Sequence, residues 1–84
     1  MKKILDALEK VDTNNRWKVN KLLRNLHSDI YYFKKIGRLQ EINQIVHLLS
    51  KFVSINSKEL YHNPGKRYYV RGLESIIQLG KTLR

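Results

Sequence analysis

The amino-acid sequence predicts a mostly α-helical fold: a small bundle of three to four helices built on a central antiparallel helical hairpin. Three observations predict it. Apolar residues recur at steps of three and four along most of the chain, which is the helical period and not the alternation of strands. Two of these stripes are joined through one glycine, Gly37, so the chain reverses tightly between them. At 84 residues and 42% hydrophobic composition the chain supports one thin core, and therefore one domain over residues 1–84.

The elements follow in order. Ile4, Leu5, Leu8 and Val11 predict a short first helix. Asp12-Thr13-Asn14-Asn15 breaks it and supplies an N-cap for the next. The second helix is the clearest: Val19, Leu22, Leu23, Leu26, Ile30 and Phe33 form one apolar stripe over residues 15–36, and Gly37 is placed as its C′ residue. The third, over residues 38–53, has Leu39, Ile42, Val46, Leu49 and Val53 as its stripe, widened by Ile45, Leu48 and Phe52. Its outward positions, Gln40, Asn43, Gln44, His47 and Ser50, are almost uncharged.

Asn63-Pro64-Gly65 signals a turn, with proline and glycine placed as a type II turn requires. Two continuations compete around it. Residues 59–62 and 67–70 could flank the turn as a short β-hairpin, which is marginal unless it packs on helices. Alternatively, a fourth helix starts near Gly65 and runs to the C-terminus on Tyr69, Leu73, Ile76, Ile77 and Leu83. The helical stripe favours the second, although Gly80 falls inside it.

Seventeen Lys and Arg against seven Asp and Glu give a net charge of +10. Such a charge destabilises a small fold by self-repulsion, and a polyanionic partner is the reason it points to, nucleic acid first and an anionic membrane surface second. The excess is localised. Residues 1–12 and 39–59 are each neutral overall, residues 13–38 carry +6 and residues 60–84 carry +4. A charge serving solubility alone would be spread more evenly.

At about 100° per residue, Trp17, Lys21, Arg24, Ser28, Tyr31 and Lys35 fall within about 40° of one line on the second helix, opposite its apolar stripe. Cations pair with phosphates and exposed aromatic rings stack on unpaired bases, so this interleaving fits single-stranded or irregular RNA. Arg16, Lys18, Lys34 and Arg38 extend the basic set along the same segment. The competing reading has Trp17 packed on the first helix, Tyr31 on the C-terminal segment and the cations as a solvated face. A second cluster, Lys66, Arg67 and Arg71 with Tyr68 and Tyr69, follows the turn; at least one of the tyrosines belongs to the core. A helix opening at Gly65 would present free backbone N–H groups near Lys66 and Arg67 to a phosphate.

Other chemistry is poorly supported. Without cysteine, disulfides, thiolate zinc sites and cysteine nucleophiles are excluded. His27, His47 and His62 lie on different predicted elements without a carboxylate cluster, so they read as ordinary surface or half-buried histidines before metal ligands, with a ribonuclease using two of them as the competing reading. Gly37, Gly65, Gly72 and Gly80 are isolated and form no phosphate loop. A helix-turn-helix fits badly, because the most basic helix precedes the turn, and no RNA-recognition-motif, KH or zinc-finger signature is present. The N-terminus begins like a secretion signal, but Asp6, Glu9 and Lys10 interrupt the apolar stretch, and no run approaches the length of a membrane span, so a cytoplasmic location is expected.

The expectation is therefore a non-enzymatic, cofactor-free protein that binds nucleic acid, RNA before duplex DNA, through Arg16, Trp17, Lys18, Lys21, Arg24, Tyr31, Lys34, Lys35, Arg38, Lys66, Arg67 and Arg71. Residues with AT-rich codons (Phe, Tyr, Met, Ile, Asn, Lys) make up 34 of the chain, which associates it with small phage proteins and a modulator of a host or defence system acting through RNA. Two alternatives stand beside this. One is an inhibitor or antitoxin-like module whose basic face docks an acidic protein, directly or bridged by RNA. The other is a peripheral membrane regulator of lysis or immunity, which the well-formed core stripes argue against. Surface aromatics on a small core also suggest homodimerisation.

Overall fold

Capping residues set both boundaries of the second helix. A computed structural model of the chain describes residues 2–84 as α1 (Lys2–Lys10), α2 (Arg16–Lys35), α3 (Leu39–Ile55), α4 (Ser57–His62) and α5 (Arg67–Leu83), with one 3-10 turn at Pro64–Lys66 before α5. Asn15 caps α2, its side chain accepting from the Lys18 N–H at 3.2 Å. At the other end Gly37 adopts φ +76°, donates to the Lys34 carbonyl and lets Arg38 donate to the Phe33 carbonyl. That pair of bonds is the Schellman arrangement, which satisfies two carbonyls the helix end would leave free. The expected hairpin of α2 and α3 thus forms around Gly37.

The C-terminal third is helical, and no strand occurs among the described residues, so the β-hairpin reading of residues 59–70 is corrected. Leu60 explains why. It lies seven residues after Val53, continues the α3 stripe and is buried from α4. The type II turn is corrected as well. Gly65 has no positive φ; the Asn63 side chain accepts the Gly65 N–H at 2.9 Å, and the backbone winds in a right-handed 3-10 turn straight into α5.

The core is one cluster: Leu8 from α1, Val19, Leu26 and Ile30 from α2, six residues of α3, Leu60 from α4, and Tyr69, Val70, Leu73 and Ile76 from α5. Leu39, expected in the α3 stripe, is exposed instead, because it opens the helix beside the Gly37 turn where nothing covers it. Each fully buried Leu or Ile contributes about 1.5–3 kcal/mol.

Helix α5 sits against both members of the hairpin. Gly72 lies against Leu23, Gly80 lies near Ile30, and Lys34 Nζ donates to the Leu83 carbonyl at 3.0 Å. Residue numbers rise together in these pairs, so α2 and α5 run parallel. Against α3 the order is reversed, with Gly80 beside Val46 and Ile42 and Arg84 donating to Asn43 Oδ1 at 3.0 Å. The parallel pairing brings the N-terminal ends of α2 and α5 to one end of the bundle.

Candidate nucleic-acid interface

Helix α2 presents Trp17, Lys21, Arg24, Ser28, Tyr31 and Lys35 to solvent, all of them exposed, while Val19, Leu26 and Ile30 on the opposite side are buried. Trp17 is 68% exposed and Tyr31 53%, so neither ring is packed away on another element. The Lys21 ammonium stands 5.4 Å from the centre of the Trp17 ring. Such a contact holds both groups outward while leaving ring surface open to a base. The His27 ring stacks beside Tyr31 at 6.3 Å between centroids.

A cleft adjoins this line at the end where α2 and α5 begin. Thr13, Asn14 and Arg16 form one wall, and Pro64, Gly65, Arg67, Tyr68 and Arg71 form the other. Arg16 rests over the Tyr68 ring at 4.6 Å, and the Tyr68 hydroxyl donates to Asn20 Oδ1. Asn20 also borders the shallow depression lined by Trp17, Lys21, Arg24 and Asn25, so cleft and helix face are continuous. The structure therefore joins the two basic clusters of the sequence, from segments some fifty residues apart, into one surface.

Its electrostatics are one-sided. Neither α2 nor α5 has an acidic residue in its first turn; Arg16 and Lys18 open one and Arg67 opens the other. Cations there oppose the positive ends of two parallel helix dipoles, at about 0.3–1 kcal/mol each. Among the described residues the ion pairs are Arg38 with Glu41 and Lys66 with Glu59, and neither involves Arg16, Arg67 or Arg71.

Not every expected residue joins this surface. Lys66 is half-buried and bonded to Glu59. Lys34 closes the C-terminal end of α5, and Arg38 pairs with Glu41 at 3.8 Å beyond the far end of α2. Lys18 is exposed but two residues from both Arg16 and Asn20, hence on the opposite flank of the helix from the α5 contact. Lys35 continues the exposed line at its far end. The backbone N–H groups expected to receive phosphate are already used: Gly65 donates to the Asn63 side chain, Lys66 to the Asn63 carbonyl and Arg67 to the Pro64 carbonyl. Side chains, not the backbone, are what this end offers an anion.

Sequence reasoning missed Thr13, Asn14 and Asn20 as members of the surface. The first two read only as part of a helix break, and Asn20 gains its place from Tyr68, which no local pattern links to it. Of the two tyrosines, Tyr69 is the buried one and Tyr68 remains 39% exposed. No group of three or more His, Asp or Glu able to hold a metal gathers among the described residues, and the histidines sit apart on α2, α3 and α4. No helix is long and apolar enough to cross a membrane. Compared with known proteins, the chain matches no family model, no curated protein and no solved structure.

Proposed function

We propose that this chain is a non-enzymatic RNA-binding protein that takes a single strand along the exposed face of α2. The observation that carries the reading is the alternation on that face of two solvent-exposed rings, Trp17 and Tyr31, with Lys21, Arg24 and Lys35. Cations alone would suit any polyanion, duplex included. Exposed rings in the same line favour unpaired bases, whose stacking is worth about 1–3 kcal/mol each. Contact is mainly to phosphate, so sequence specificity is low and salt dependence strong. The AT-rich residue usage extends the proposal to a phage-type modulator that acts on a host or defence system through bound RNA.

Fluorescence anisotropy with a labelled single-stranded RNA tests it. Lys21→Ala with Arg24→Ala should weaken binding by about a hundredfold or more, as expected for two lost charge-assisted contacts of about 1.5–3 kcal/mol each. It should also flatten the logarithmic salt slope by about 0.7 per lost contact. Unchanged affinity in the folded double variant would overturn the assignment to α2.

A protein partner is the second reading, and one feature favours it. The outward surface of α3 around Asn43, Gln44, His47, Leu48 and Lys51 is the least charged side of the hairpin. Under that reading a complex recovered from cells survives RNase; under the RNA reading it is lost.

A further inference from the structure

We propose that the cleft between the α1–α2 loop and the start of α5 holds a terminal phosphate monoester of the bound strand. This rests on the reading that a single strand lies along α2, and it adds what the end of that strand meets. Three arginines, Arg16, Arg67 and Arg71, line the cleft from two elements. None of the three is ion-paired among the described residues. Asp12, four residues before Arg16, accepts the Asn14 N–H at 3.1 Å and is not part of the lining. Glu74, one turn beyond Arg71, accepts from the Tyr61 hydroxyl at 3.0 Å and borders, with Arg67 and Arg71, a neighbouring hollow on the α4 side, but it forms no ion pair with either arginine and does not line the cleft.

Position distinguishes this cleft from the rest of the basic track. It lies where the α2 line ends: past Arg16 the chain turns into the neutral segment of residues 1–12. A strand following Lys35, Tyr31, Arg24, Lys21 and Trp17 therefore terminates at the cleft. Its charge suits a chain end better than an internal linkage. A monoester carries close to two negative charges at neutral pH and three strong acceptor oxygens, whereas a diester carries one charge. Arginine forks match such an oxygen set bidentately. Arg16 is already held in place, its guanidinium resting on a Tyr68 ring that Asn20 fixes through the hydroxyl. Thr13 and Asn14 supply a hydroxyl and an amide for the remaining acceptors.

The test compares three RNAs of one sequence carrying an internal fluorescent label: 5′-monophosphorylated, 3′-monophosphorylated, and hydroxyl at both ends. One phosphorylated form should bind about tenfold or more tightly than the hydroxyl-ended RNA, the increment of a charge-assisted contact. Which form wins tells the polarity of the strand on α2. Arg67→Gln with Arg71→Gln should erase the advantage, so that phosphorylated and hydroxyl-ended RNAs bind the variant alike. Both residues are exposed, so circular dichroism and Tm should not change. Lowering the pH through the second phosphate pKa of about 6 should shrink the advantage. Hydroxyl-ended RNA binding as tightly as both phosphorylated forms would overturn the cleft assignment and leave the α2 reading standing. An advantage that survives in the double variant would likewise overturn it. Failure of all three RNAs to bind would overturn the α2 reading, and the cleft assignment with it.

Discussion

Tyr69 ties α1 to α5 through one hydroxyl. The ring is buried, and its O–H donates at 3.0 Å to the Leu8 carbonyl, which lies in the last turn of α1 and has no helical partner of its own. Burial pushes the Tyr69 phenol well above its ordinary range. The sign of the consequence is fixed: the unfolded phenol ionises near about pH 10 and the folded one only above that. Tyr69 therefore contributes its stability in full below about pH 10, and the contribution is lost as pH rises through the folded value. Tyr69→Phe should cost about 1 kcal/mol at neutral pH through the lost hydrogen bond. It should also remove the last phenol to ionise in a spectrophotometric titration of the folded protein. Tyr61, raised chiefly by its hydrogen bond to the Glu74 carboxylate, stays in that titration as the internal comparison. The stripe Tyr69–Leu73–Ile76 marks Tyr69 as core in the sequence, but its partner, sixty-one residues away, is invisible there.

At the scale of elements, α5 shows why a local rule misjudges a glycine. Within one helix Gly80 reads only as a weakness. In the bundle a Cβ at Gly80 would lie 2.3 Å from Val46 Cγ2, a stiff, buried, branched side chain, so the glycine sets the approach of α5 to α3. A Cβ at Gly72 would meet Leu23 Cδ1 at the same distance, but that is the far end of a flexible, half-buried side chain. Gly80→Ala should therefore destabilise by about 1–2 kcal/mol net, overpacking exceeding the gain in helix propensity. Gly72→Ala should fall within about 0.5 kcal/mol of neutral, the same gain offsetting a small shift of Leu23. Denaturant midpoints of the two variants separate these outcomes; equal losses would contradict the account. The long helices and the Gly37 reversal were legible because each is set by local periodicity or a cap. Helix α4 was not. It is six residues long with a single buried side chain, and its evidence is the continuation of the α3 stripe to Leu60 across a break.

At the scale of the whole molecule, charge and topology act together. The sequence shows two basic segments and the outward line on α2, and it separates them from two neutral segments. It does not show that α2 and α5 run parallel, which depends on α3 and α4 returning the chain to its starting end. That return places Arg67 and Arg71 beside Arg16, and it brings Lys34 to the C-terminal end of α5, whereas Lys66 and Arg38 are taken up by ion pairs close in sequence. The molecule thus has a basic face on α2 and α5 and a near-neutral one on α3. Trp17 stands on the basic face and is the only tryptophan in the chain, so its emission reports that face alone. The most direct measurement is a fluorescence titration of the protein with single-stranded RNA at low salt, followed by addition of salt. Quenching of Trp17 should be saturable, reversed by salt, and shifted to higher RNA concentration by Lys21→Ala with Arg24→Ala. Trp17 emission that does not respond to RNA would contradict the RNA-binding reading of α2.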